Sequence, residues 1–213
     1  MRDLANIEGL TDLPRLLSIL AARAGGLLNY AEISRTGSFP QTTLKRYAAL
    51  FDALFITETL PAFSGSRTKR LVKTPKLYFT DTGLLCYLQN LSWEKIKLDP
   101  TLAGQLMENF VVGEIRKQTG WNNTRIEMFH FRTSTDREVD IVLETPNGEV
   151  IGIEVKSGAH VGSEAFKGLK ALKEHSGKKF KRGIVIYTGN KAVAFDEDMY
   201  AVPVQQLWRS SNI

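Results

Sequence analysis

Apolar residues recur at helical spacing at Leu13, Leu16, Leu17 and Leu20, which predicts a helix over residues 11–24. Thr11 or Asp12 can cap it, Pro14 suits its first turn, and Gly25 and Gly26 end it. A short helix follows Asn29, from Tyr30 to Ser34. A third runs from about Pro40 to Leu54, with Leu44, Tyr47, Leu50, Phe51 and Leu54 on one face. Residues 55–59 and 69–79 then read as two strands joined across Pro61, Gly65 and Ser66. A short helix is expected from Asp81 to Gln89, and residues 90–100 read as a linker closed by Pro100.

Beyond the linker the pattern changes. Residues 101–119 form a strong helix, with Leu102, Leu106, Phe110, Val111 and Ile115 toward a core. Strands are expected at about 125–132, 138–145 and 149–157, the last two a hairpin turned by Pro146, Asn147 and Gly148. A helix over 163–175 carries Phe166, Leu169 and Leu172, and residues 183–187 read as a buried strand. A weaker strand near 192–195 and a helical turn at 203–208 complete the chain. The fold class expected is mixed α/β: a first unit over residues 1–90 and a second over 101–213 with a central mixed sheet.

Helix, helix, helix, hairpin is the order of a winged helix, with the third helix for recognition and the hairpin as the wing. Between Pro61 and Thr80 stand five basic residues, Arg67, Lys69, Arg70, Lys73 and Lys76, and no acidic one. The third helix adds Lys45 and Arg46, preceded by Gln41, Thr42 and Thr43. Such side chains contact phosphates and base edges, so Lys45, Arg46, Arg67, Lys69, Arg70 and Lys73 are candidates for binding nucleic acid, DNA first. The plainer alternative is a lysine-rich edge that resists aggregation. A winged helix can also dock proteins.

Candidate chemistry lies on the second hairpin. One strand carries Arg137, Glu138, Val139 and Asp140, and the next carries Ile153, Glu154, Val155, Lys156 and Ser157. Side chains alternate along a strand, so Glu154 and Lys156 share a face while Ile153 and Val155 point to the core. Asp140 can reach the same face from the neighbouring strand, and Glu108 can add a third carboxylate from the preceding helix. Oxygen ligands of this kind suit Mg²⁺ or Mn²⁺, and a lysine beside them can act on a phosphodiester or its attacking water. Asp140, Glu154, Lys156 and Glu108 are therefore the candidate catalytic group, the three carboxylates the metal ligands. The plainer alternative is a same-face ion pair on an amphipathic strand. Glu138, two residues before Asp140, could assist there but is expected at the surface; His130 is expected as a strand side chain, and Trp121 and Trp208 as packing residues.

The net charge is +5, a modest basic excess compatible with a polyanion partner or simply with solubility. Cys86 is alone, which excludes an internal disulfide and a thiolate metal cluster. No apolar run is long enough to span a bilayer and no signal-peptide pattern opens the chain, so a cytoplasmic location without membrane contact is expected.

Several blocks resemble a known family. Lys73, Pro75, Lys76, Tyr78, Phe79, Asp81 and Gly83 look like the opening of the C-terminal region of many bacterial and archaeal AAA-family ATPases, domain of unknown function 4143. Gly104, Glu108, Asn109, Phe110, Val111 and Glu114, then Arg137 to Asp140, then Ile153 to Ser157, are similar to its later blocks in order. Asn29 and the stretch Thr43 to Leu54 resemble the winged helix that joins the motor to this region. The resemblance implies a restriction-endonuclease-like, PD-(D/E)XK fold and an ATPase motor in the same polypeptide, without implying an established reaction. Val139 stands where the motif's name has Pro. No P-loop is present, since Gly177 and Lys178 are followed by Lys179 and position 172 is Leu, so ATP is not expected to bind these residues. Two readings follow: a metal-dependent DNA-cleaving domain, or a non-catalytic module that binds nucleic acid or protein for a linked ATPase.

Overall fold

The computed structural model describes residues 12–65, 70 and 73–209. Three helices open it: α1 (Leu13–Ala21), α2 (Tyr30–Gly37) and α3 (Gln41–Ala53). Asn29 caps α2 by accepting from the Glu32 amide at 3.3 Å. Strands β1 (Thr57–Leu60) and β2 (Lys76–Phe79) pair antiparallel, and Leu27 adds an antiparallel bridge to Lys76 on β2's other edge. Helix α4 (Thr82–Leu88) is capped by Asp81, whose carboxylate accepts from the Leu84 amide at 2.6 Å. The expected linker contains a helix, α5 (Trp93–Leu98), because Ser92 supplies a cap.

Helix α6 (Pro100–Gly120) starts where Asp99 accepts from the amides of Thr101 and Leu102, with Pro100 in the first turn. The large sheet follows: β3 (Glu127–Arg132), β4 (Glu138–Glu144), β5 (Val150–Lys156), β6 (Phe180–Tyr187), β7 (Val193–Asp196) and β8 (Met199–Pro203), in the spatial order β3-β4-β5-β6-β8-β7. It is mixed: β5, β6 and β8 run parallel, while β3–β4, β4–β5 and β7–β8 pair antiparallel. Helix α7 (Lys167–Ser176), entered through a 3-10 turn at Ser163–Phe166, makes the crossover from β5 to β6. The architecture is the mixed α/β class expected.

The two faces of this sheet bury separate cores. Leu169 and Leu172 of α7 pack with Val139, Val142, Val150 and Val185. Val111, Val112 and Ile115 of α6 pack with Ile141, Ile153, Val155 and Ile186. Gly168 permits the first contact, since a Cβ there would lie 1.7 Å from the Glu138 carbonyl oxygen. The helices of the first half bury a third core around Leu16, Leu20, Leu44, Tyr47 and Phe51.

Strand β2 joins the halves through its alternation. Leu77 and Phe79 enter the first-half core, whereas Tyr78 enters the core under α6. Asn109, buried on α6, donates to the Phe79 carbonyl and accepts from its amide, both at 2.9 Å. The segment leaving β1 is also held by the large sheet. His130 donates its amide to the Pro61 carbonyl at 2.9 Å, and the Phe63 amide donates to the His130 carbonyl at 2.6 Å. The expected hairpin is therefore shorter than predicted, and its connection is stitched to edge strand β3. Phe110 does not face the core as expected. It is 38% exposed and lies against Trp208, itself half exposed, while Trp121 is exposed rather than packed.

Candidate functional site: a carboxylate cleft closed by a lysine

Asp140 owes its position to a slip in register. Phe129 pairs with Val142 and Phe131 with Val139, so β4 carries one more residue than β3 across this stretch, within Asp140–Ile141. Such a bulge re-aims a side chain at a strand's functional end. Asp140 is buried and accepts from the Val155 amide at 2.9 Å through Oδ2. On β5, Lys156 Nζ lies 2.7 Å from Glu154 Oε1. Glu108 approaches from α6. The four sequence-predicted residues thus line one cleft of about 570 Å³, together with Arg23, Gly25, Gln105 and Glu138.

Lys76 lies at its centre. Predicted to be one of the basic wing residues, it is only 4% exposed. Its ammonium is 2.9 Å from Glu108 Oε1, 2.5 Å from Glu138 Oε1 and 3.4 Å from Asp140 Oδ1. Glu138 is thus part of the cluster and not a bystander at the surface. Tyr78, two residues along the same face of β2, donates to Glu108 Oε1 at 2.6 Å. The Gly25 amide donates to the Leu77 carbonyl at 2.7 Å, and the Leu77 amide to the Gly26 carbonyl at 3.0 Å. Gly25 has φ +77°, and a Cβ there would lie 3.8 Å from Glu108 Oε2, so this loop closes over the cleft.

The electrostatics follow from packing four carboxylates around two ammonium groups. Burial, reinforced by the charge of Asp140, pushes Glu108 up to about 7, against the pull of Lys76 and Tyr78. Burial and Asp140 likewise push Glu154 up to about 8, against Lys156. Burial alone would lower the Lys76 pKa, but Glu108, Asp140 and Glu138 outweigh it and hold Lys76 charged. Protons on Glu108 and Glu154 therefore relieve the repulsion that Lys76 leaves. Glu154 Oε2 is buried without a hydrogen-bond partner.

This donor set does not fit a divalent ion as arranged. Lys76 occupies the point where Glu108, Glu138 and Asp140 converge, and both Asp140 oxygens are engaged. Among the described residues, no group of three His, Cys, Asp or Glu side chains is disposed to hold a metal.

The basic candidates separate. Lys45 and Arg46 are exposed on α3, stacked over the Tyr30 and Tyr47 rings and unpaired with any carboxylate among the described residues. Lys73 is exposed. Arg70 is turned inward: its guanidinium makes two bonds to Glu144, at 2.5 and 3.0 Å, donates to the Ser64 carbonyl, and lies over the Phe63 and Phe129 rings. Arg67 and Lys69 lie outside the described residues. His130 is a buried strand residue, as read, with Nε2 3.2 Å from the Thr74 carbonyl; burial, with Lys76 nearby, lowers its pKa to about 4.

Comparison with known proteins bears on the second half first. Residues 103–207 match the model of a domain of unknown function, DUF4143. Residues 1–95, N-terminal to that stretch, match the model of a second domain of unknown function, DUF8612. Uncharacterized proteins of Mycobacterium tuberculosis and Mycobacterium bovis are each 29% identical over 204 residues, which cover 93% of this chain and 43% of the relative. The chain thus spans less than half the length of the curated relatives it matches. A solved half-complex of Thermococcus gammatolerans McrB AAA+ hexamers with bound McrC overlays with TM-score 0.34 and 11% identity, over 88% of this chain and 46% of that one. A likeness that slight assigns neither fold nor partner. Among the described residues no helix is long and apolar enough to cross a membrane.

Proposed function

We propose that the chain is the DNA-handling C-terminal part of an AAA-family ATPase, a winged helix followed by a PD-(D/E)XK-type domain, and that as arranged it binds nucleic acid without cutting it. The observation that carries this reading is the convergence of Glu108, Asp140, Glu154 and Lys156 from α6, β4 and β5 on one cleft, with Lys76 seated among the carboxylates. The convergence supports a nuclease-type scaffold. The seated lysine favours the binding-module reading over Mg²⁺- or Mn²⁺-dependent cleavage, because the oxygens a metal needs are already neutralised. The winged-helix reading is supported by the order α1, bridge at Leu27, α2, α3, β1, β2 and by the exposed Gln41, Thr42, Lys45 and Arg46 of α3. The ATPase association rests on the family resemblance. That resemblance implies a motor in the same polypeptide, and ATP is not expected to bind these residues, which carry no P-loop.

The test is incubation with supercoiled, duplex and single-stranded DNA in Mg²⁺ or Mn²⁺, beside Asp140→Ala. Retarded but intact DNA is expected. Strand scission by the wild type that disappears in Asp140→Ala would overturn the binding-only reading in favour of a nuclease, and absence of any DNA binding would favour a protein-docking module.

A further inference from the structure

The chain's positive charge is concentrated in one segment. Residues 167–182 hold seven basic side chains and one acidic one, Glu174, a net of +6 where the whole chain carries +5. The segment comprises α7 and the entry to β6, and α7 covers the sheet face opposite α6 and the carboxylate cleft. Some of these charges are already matched. Lys167 pairs with Glu164, Lys173 lies 2.7 Å from Asp198, Lys181 lies 3.1 Å from Glu149, and Arg182 lies over the Tyr200 ring. Lys170 is exposed and meets no carboxylate among the described residues. Leu169 and Leu172 turn into the core, which leaves Lys167, Lys170 and Glu174 along the outer stripe of the helix.

A second element brings a matching charge. Arg137, in the turn between β3 and β4, lines one hollow of about 640 Å³ with Lys167 and Lys170. Thr133 and Thr135 add hydroxyl groups there, and Glu174 is the single carboxylate of the lining. Arg137 is exposed and has no carboxylate partner among the described residues. Its neighbour Glu138 lies in the carboxylate cleft on the other face, as alternation along a strand requires. Guanidinium, ammonium and hydroxyl donors that converge from separate elements suit phosphate oxygens. The cleft offers the reverse, four carboxylates against the ammonium groups of Lys76 and Lys156, a surplus that repels a phosphate backbone.

We propose that the hollow between α7 and the β3–β4 turn is a second binding surface for duplex DNA, on the sheet face opposite the carboxylate cleft, with Arg137 and Lys170 as its phosphate contacts. The inference rests on the reading of the chain as one that binds DNA. It adds where the duplex lies on the second half: against α7, away from the carboxylates. Phosphate carries no sequence information, so this surface holds DNA without selecting a site.

The test titrates a short labelled duplex with the full chain across a salt series. The wild type is measured beside Arg137→Ala/Lys170→Ala and beside Lys95→Ala/Lys97→Ala, which removes the same charge from exposed positions on α5. Arg137→Ala/Lys170→Ala is expected to bind all sequences less tightly and to flatten the slope of log K against log salt by about 1.8, since each phosphate contact contributes about −0.9. Lys95→Ala/Lys97→Ala should match the wild type. The wild type gives a second readout that needs no variant: under an amine-labelling reagent, bound duplex should protect Lys170 and leave Lys95 reactive. Unchanged affinity and slope in Arg137→Ala/Lys170→Ala, an equal loss in Lys95→Ala/Lys97→Ala, or Lys170 labelled as fast with duplex as without it would each overturn the proposal. Lys45→Ala/Arg46→Ala, run alongside, separates this surface from α3. A loss confined to that variant sinks the present proposal and leaves the α3 contact standing, and a loss confined to Arg137→Ala/Lys170→Ala does the reverse. A wild type that binds no duplex overturns both.

Discussion

Arg70 separates a structural role for the basic segment before β2 from a DNA-contacting one. By composition it belongs with the basic residues that would meet phosphates. In the fold its side chain is 12% exposed, its Glu144 partner 16%, and the pair is bidentate. Removing one member of a well-buried ion pair costs about 3–5 kcal/mol, because the other charge is left without a partner. Residual solvent access at Glu144 lowers that to about 2–4 kcal/mol for Arg70→Ala. Loss of contact with the Phe63 and Phe129 rings is included in that figure. Arg70→Ala/Glu144→Ala should lose less than the two single changes combined, with a coupling of about 1–3 kcal/mol. Urea unfolding followed by circular dichroism measures both quantities. Affinity of the folded Arg70→Ala protein for duplex DNA should match the wild type. A variant as stable as the wild type that binds DNA less tightly would refute the internal-latch reasoning and return Arg70 to the phosphate-contacting set.

Gly168→Ala should be poorly tolerated, since its methyl group would lie within covalent distance of the Glu138 carbonyl; a loss of about 3 kcal/mol or more is expected in thermal or urea unfolding. Glu108 and Glu154 ionise at higher pH in the folded chain than the usual 4.5, so the unfolded chain releases those protons first and stability falls as pH rises from about 5 to about 8. Glu154→Gln should remove much of that fall and gain up to about 4 kcal/mol on the wild type between pH 5 and pH 9. Parallel stability curves for the two proteins would contradict the assignment. His130 has the opposite sign: it stays neutral down to about 4 when folded, so its contribution is present above its unfolded pKa and is lost as pH falls from about 6.5 to about 4. His130→Gln should flatten that acid limb of the stability curve.

The candidate site was legible where local periodicity carries it. Glu154 and Lys156 had to share a face of β5, and Glu108 had to fall on the helix before the sheet. Two features were not legible. Lys76 follows Arg67, Lys69, Arg70 and Lys73, so it reads as one more solvated charge. The signal against this was local, for Lys76 enters the apolar run Leu77, Tyr78, Phe79, where a strand buried on both faces leaves a lysine no water. Glu138 reads as a surface residue because its partner, Lys76, is 62 positions away in sequence. In the fold, the short helix α5 was hidden inside a polar stretch whose only mark was Ser92 as a cap. Strand β8 has no clear mark in the sequence, because an acidic turn precedes it and Pro203 ends it, while its pairing with β6 is decided by long-range contacts.

The central claim, that this chain binds DNA through α3, is tested most directly by titrating labelled duplex with protein across a series of salt concentrations, for the wild type and Lys45→Ala/Arg46→Ala. Each phosphate contact contributes about −0.9 to the slope of log K against log salt, so losing two should flatten that slope by about 1.8 and weaken binding to all sequences alike. A wild type that binds no DNA at low salt, or a double variant with unchanged affinity and slope, would contradict the account.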